Sequence, residues 1–263
     1  MQISTELPLL YQDEHLVAVY KPSGLLVHRS PIDKRETVFA LQLVRDQVGQ
    51  YVFPVHRLDK PTSGVLMFAL SSEVANMMML KFQAGEVRKH YLAVVRGRLT
   101  GNGCVEYALS DKPDKVAEPL AGPERQDQPA ATRYRGIAEV ELEVSVSRYP
   151  TSRYSLVSLI PRHGRRHQLR RHMRHIFHPV IGDTTHGEGR HNRFFRSHFN
   201  CHRLLLSATD LQFEHPATGK PVTIHADPDD SFEGVAARLG WSEALGQFDA
   251  VAELMLGYAD YEE

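Results

Sequence analysis

The sequence predicts an α+β fold, and three observations lead there. Strand-length apolar runs, such as residues 65–70 and 204–214, recur along the chain in groups rather than in regular alternation with helices. Helical periodicity is confined to stretches near 36–48, 71–84, 166–176 and 232–239. The length of 263 residues is enough to bury one full core without disulfide staples.

In chain order, residues 9–19 predict a strand, a turn at Asp13-Glu14 and a second strand that ends before the turn segment Lys21-Pro22-Ser23-Gly24. Val38, Leu41, Val44 and Val48 then repeat at helical spacing, with Gly49 placed as the C-terminal cap. Residues 65–70 form a strand, after which Ser71 or Ser72 caps a helix reaching Ala84, with Gly85 beyond it. Val74, Met77, Met78 and Phe82 are the expected core face of that helix. Residues 89–97 predict a strand, residues 110–130 a long surface excursion, and residues 131–146 and 153–160 two further strands.

From Pro161 to Ile176 the chain is dense in arginine and histidine. Leu169, Met173 and Ile176 mark a core-facing side, and Arg166, Arg170 and Arg174 are expected in a row on another. Residues 178–183 predict a turn into a short strand, and residues 184–200 an exposed polar loop. Residues 204–214 and 221–225 pair as a hairpin around Pro216-Ala217-Thr218-Gly219-Lys220, and a short helix spans 232–239.

Chemistry concentrates in His56-Arg57-Leu58-Asp59-Lys60-Pro61-Thr62-Ser63-Gly64. Opposite charges nearby favour an ionised acid, so Asp59 among His56, Arg57 and Lys60 suits work as a nucleophile or base. A turn rich in Pro and Gly that feeds a buried strand would hold it rigidly. The competing reading is a surface loop whose charges solvate one another.

The formal net charge is −1, but it is segregated. Residues 162–203 hold ten arginines, no lysine and two acids, Asp183 and Glu188, whereas residues 226–263 hold ten acids and one arginine, Arg238. An arginine-rich stretch without lysine suits planar phosphate recognition. The histidines lack a His-Glu-x-x-His context, so no metal site is expected. Cys104 and Cys201 match no redox or metal spacing, and no signal peptide or bilayer-length apolar run is present. A cytoplasmic protein without a membrane partner is expected.

Four ordered stretches, Lys21-Pro22-Ser23-Gly24, residues 56–64, Lys89-His90-Tyr91, and residues 164–170 with 178–183, together resemble the RluA-type pseudouridine synthases. These enzymes isomerise uridine in structured RNA. The resemblance implies a mixed, mainly antiparallel sheet with flanking helices and an RNA cleft across its middle. It implies one catalytic domain over 1–263, with a core at about 9–226, an acidic extension at 227–263 and no S4 domain. By the same resemblance Asp59 is the catalytic aspartate, Tyr91 stacks on the target base, Arg170 pairs with Asp59, and Arg57 enters the RNA helix that the target has left. His56, Lys89, Arg165, Arg166 and Arg174 are the expected further RNA contacts. The isomerisation calls for no cofactor, and a monomer is expected.

Within the family, Val27-His28-Arg29-Ser30, Arg45-Asp46-Gln47, the 148–154 connector and residues 165–172 are most similar to members that modify uridine 65 of tRNA. Ribosomal RNA is the alternative substrate within the family. A noncatalytic RNA-binding module and a glycoside hydrolase are the alternatives outside it. The hydrolase reading is weakened because no second carboxylate lies near Asp59 in sequence.

Overall fold

The structure, a computed structural model, describes residues 6–29, 36–110 and 127–248. Its elements run β1 (Leu9–Gln12), β2 (Leu16–Lys21), α1 (Ala40–Val48), β3 (Phe53–Pro54), β4 (Ser63–Ala69), α2 (Ser72–Ala84), β5 (Arg88–Arg96) and β6 (Asn102–Glu106). They continue with β7 (Ala131–Leu142), β8 (Ser152–Pro161), α3 (Gln168–His175), α4 (Gly189–Phe199), β9 (Leu206–Glu214), β10 (Pro221–His225), α5 (Asp230–Arg238) and α6 (Ser242–Gly246). The α+β expectation is met.

Among the described residues one sheet carries all ten strands, in the order β1-β2-β4-β9-β5-β8-β7-β6, with β3 beside β4 and β10 beside β9. Its pairings are antiparallel except at the centre, where β4 and β9 run parallel through Ser63–Ser207 and Gly64–Ala208. That short junction joins two half-sheets. Gly64 has φ +110°, and a Cβ there would lie 2.0 Å from the Ala208 carbonyl oxygen, so only glycine allows the strands to meet.

Side-chain alternation along the strands gives each half-sheet two cores. On one face, Val17, Val19, Leu66 and Phe68 pack with Ala40 and Val44 of α1, while Ala93, Val95, Val157 and Leu159 pack with Leu169 and Met173 of α3. Tyr91 touches both of these clusters. On the other face α2 packs against Leu16, Ala18, Val65 and Met67, and α4 and α5 pack against Leu92, Val94, Tyr154 and Leu156.

Helix α2 follows its sequence signals: Ser71 Oγ accepts from the Val74 N–H (3.2 Å), and Gly85 closes the helix at φ +78°. Within it Met77 is exposed and Ala75 takes the buried place expected of Met77. Helix α1 begins at Ala40 rather than near 36. Phe39 is held extended by a bridge to Leu26, and the Ala40 and Leu41 N–H groups bond to Leu26 and Val27. Strand β7 stops at Leu142, and residues 178–183 make a single bridge, Val95–Val180, instead of a strand. Most of the 110–130 excursion lies outside the described residues, as do residues 249–263 of the acidic extension.

Two further expectations in the basic stretch fail. The 184–200 segment contains α4, whose His191, Asn192, Phe195 and Phe199 are buried. The arginine row does not form, because α3 starts at Gln168, after a turn in which the Gln168 N–H bonds to Arg165 O. Arg166 therefore precedes the helix, Arg170 is buried within it, and Arg174 lies exposed near its end.

Candidate active site

The loop bearing Asp59 is pinned from beneath by the turn that precedes it in sequence. Lys21 is fully buried at the end of β2, and its Nζ donates to the carbonyls of Pro22 (2.9 Å), Leu25 (2.8 Å) and Lys60 (3.2 Å). The Gly24 N–H also bonds to Lys60 O (2.8 Å), and Ser23 Oγ donates to Pro61 O (2.7 Å). A turn within the loop is closed by the Thr62 N–H on Asp59 O (3.0 Å). Burial, with Arg203 nearby, pushes the Lys21 amine down to about 7, while Asp59 acts in the opposite direction.

Asp59 and Tyr91 line one cleft at the seam between the half-sheets, together with Arg57, Thr62, Leu206 and residues 163–170. Arg170 reaches it from α3, and its Nη1 lies 2.9 Å from Asp59 Oδ2. The rest of the guanidinium fork is held by Asp183, through Nε to Oδ2 (2.7 Å) and Nη2 to Oδ1 (2.8 Å). Arg170 is 3 % exposed and Asp183 2 %. Burial works against the charge of both groups. Their mutual ion pair outweighs it, raising the Arg170 guanidinium and lowering the Asp183 carboxyl from their ordinary values.

Asp183 has its own supports. Its Oδ1 accepts from the Thr185 and His186 N–H groups (2.8 and 2.9 Å), and its carbonyl accepts from Asn192 Nδ2 (2.8 Å). Gly182, at φ +82°, presses so closely on Arg203 that a Cβ would lie 1.9 Å from the carbonyl oxygen. The segment read from sequence as a turn into a strand is thus a device that aims one carboxylate at Arg170.

His167 completes the cleft. It holds φ +54° before α3, a conformation that costs a non-glycine residue roughly 1–2 kcal/mol. Its Nε2 lies 3.9 Å from Asp59 Oδ1, and its Nδ1 is 2.9 Å from His186 Nε2. Burial pushes the imidazole down to about 4, although Asp59 pulls it up. Neither His167 nor Asp183 was singled out as a site residue from sequence. The available signal was Asp183 itself, one of two acids in a stretch of ten arginines.

The expected RNA contacts fall in three places. Arg57 is exposed and lines the cleft beside Arg165 and Arg166, with the Arg165 Nε donating to Pro129 O (3.2 Å). His56 is turned inward: its ring stacks on Phe82 at 5.0 Å and its Nε2 accepts from the Met67 N–H (3.0 Å), with burial pushing it down to about 3. Lys89 is buried in β5, and burial, followed by Arg165, pushes its amine down to about 8. Arg174 lies beyond the cleft, with Nη1 donating to His186 O (2.9 Å).

Among the described residues no group of three or more His, Cys, Asp or Glu could hold a metal, and no helix is long and apolar enough to cross a membrane. A carboxylate, a rigid guanidinium and an aromatic face in one cleft can hold a planar base and act on its sugar bond.

Residues 15–175 match the model of a family described as RNA pseudouridylate synthase. The tRNA pseudouridine synthase C of Pectobacterium carotovorum is 53% identical over 247 residues, covering 94% of this chain and 66% of the relative. The tRNA pseudouridine synthase C of Yersinia pestis is 52% identical over 236 residues, covering 90% of this chain and 92% of the relative. Among solved structures, human RNA Pseudouridylate Synthase Domain Containing 1 aligns with a TM-score of 0.68 at 25% identity, over 95% of this chain and 99% of the other.

Proposed function

The chain belongs to the RNA pseudouridylate synthase family, and we propose that it isomerises a stem uridine of tRNA, position 65, with Asp59 as the catalytic carboxylate. The observation behind the residue assignment is the pairing of Asp59 with Arg170 in the cleft that Tyr91 lines. The tRNA assignment rests on the relatives of half-identical sequence, which carry tRNA in their names.

The reaction breaks the bond between N1 of uracil and C1′ of ribose, then joins C1′ to C5 of the same base. The hydrogen on C5 is lost and N1 gains one, so nothing is added or removed overall. That balance requires no redox partner, metal or group donor. Asp59 supplies negative charge where the sugar bond parts. Arg170 fixes the direction of that carboxylate, while the face of Tyr91 retains the freed base during its rotation. A target in a stem must first leave its stack, and Arg57, exposed at the rim, is placed to fill the gap.

The reading extends to a monomer with a single catalytic domain, core at about 9–226, that works where tRNA is found, in the cytoplasm. Incubating the purified protein with an unmodified tRNA transcript and mapping nucleosides tests the proposal. Pseudouridine at position 65 is the expected product. Binding without conversion, or release of free uracil, would refute it.

A further inference from the structure

Helix α3 ends in a feature that the chemistry at Asp59 does not use. Phe177 has φ +66°, and it is 81% exposed. Its N–H bonds to Arg174 O (3.0 Å) and the His178 N–H to Met173 O (2.8 Å), so Phe177 occupies the left-handed position that closes a helix. Glycine suits that position because a Cβ crowds the backbone there. A large apolar side chain therefore stands against both the backbone preference and the tendency to leave water.

Its surroundings are polar. Phe177 shares a hollow of about 290 Å³ with Arg96, Arg174, Pro179, Gly187 and Glu188. Glu188, the one acid there, is engaged by Arg96, whereas Arg174 is exposed to solvent. Arg96 and Glu188 also line the adjoining hollow, of about 870 Å³, which contains Tyr149. Tyr149 is exposed, and the Arg148 guanidinium lies 4.7 Å from its ring centre. Exposed rings interleaved with guanidinium groups suit nucleotides, whose bases stack while their phosphates pair. Along the helix axis Phe177 is about 10 Å from Arg170, so one RNA could reach both places.

We infer that Phe177 and Arg174, extended by Arg96 and the Arg148–Tyr149 pair, form a second RNA-binding surface for nucleotides flanking the target. Phe177 stacks on a base or ribose and Arg174 takes a phosphate. The inference rests on the RNA-substrate reading and specifies where RNA beyond the target nucleotide lies.

The test is equilibrium binding of a full-length tRNA transcript, followed by fluorescence anisotropy, alongside melting curves and steady-state kinetics. Phe177→Gly relieves the left-handed strain, so a purely structural Phe177 would give an equal or higher Tm with unchanged Kd. The expected result is an undiminished Tm, with Kd and KM raised at least fivefold and kcat within twofold. Phe177→Trp should keep Kd within twofold, and Arg174→Ala should raise Kd and flatten its salt dependence by about one unit of slope. RNA binding by Phe177→Gly within twofold of wild type would overturn the inference and leave the exposed ring to a protein partner. Because binding is read separately, failure of the wild type to form pseudouridine would count against the proposed function and not against this surface.

Discussion

Arg170 binds two carboxylates at once: Nη1 is 2.9 Å from Asp59 Oδ2, while Nε and Nη2 grip both oxygens of Asp183. A point charge cannot reproduce that geometry. Arg170→Lys is therefore expected to fold yet lose at least tenfold in kcat, with RNA affinity retained. Arg170→Ala strands the buried Asp183 and should cost about 3–5 kcal/mol of stability, seen in denaturant melts. Normal kcat in Arg170→Lys would show that Asp59 needs no fork to hold it.

Asp183→Asn tests the same relationship from the other side. Its amide can place one oxygen toward the Thr185 and His186 N–H groups, but its NH₂ then faces the Arg170 Nε–H, where Asp183 Oδ2 offered an acceptor. A loss of roughly 1–3 kcal/mol is expected for the unmatched buried donor. An unchanged Tm would place the contribution of Asp183 elsewhere.

Gly64→Ala and Gly182→Ala should each destabilise the protein without touching a charged group. Both glycines combine positive φ with a Cβ position 2.0 Å or less from a backbone oxygen. The strain alone is worth about 1–3 kcal/mol per site. Gly49→Ala, whose Cβ position is open, should lose less than either. Melting temperatures of the three variants decide the order.

A pH test comes from the β9–β10 hairpin. His225 Nδ1 lies 2.6 Å from Asp210 Oδ1, and that hydrogen bond raises the imidazole from 6.5 to about 9. Asp210 is buried, which alone would raise it, but the His225 bond, with His90 and Thr209 beside the carboxylate, brings it from 3.8 to about 2. The stabilisation from His225 is then complete below about pH 6.5 and fades as pH rises through 9. That from Asp210 is complete above about pH 3.8 and fades as pH falls toward 2. The Tm difference between wild type and His225→Ala should be largest near pH 6 and shrink by pH 10. A difference that grows with pH would reverse the assigned sign.

Much of this arrangement was legible wherever local chemistry decides local structure. Ser71 and Gly85 bound α2 because a hydroxyl and a left-handed glycine do the same thing in any context. The Asp59 loop was legible from its own turn residues. Helix α4 was not, because its buried face includes His191 and Asn192, residues usually assigned to the surface, among arginines that mask Phe195 and Phe199. Asp183 meets Arg170, and His167 meets Asp59, only after folding, and the row of arginines failed because the left-handed His167 delays the start of α3. Tertiary context, rather than propensity, sets all three.

The central claim is that Asp59 of this chain makes pseudouridine at tRNA position 65. The most direct measurement maps pseudouridine in RNA from cells lacking the protein, after return of either wild type or Asp59→Asn. Position 65 should be unmodified without the protein, regain pseudouridine with wild type, and stay uridine with Asp59→Asn, while the purified variant binds tRNA within about threefold of wild type because phosphate contacts dominate affinity. Restoration by Asp59→Asn, or loss of a ribosomal site with position 65 still modified, would contradict it.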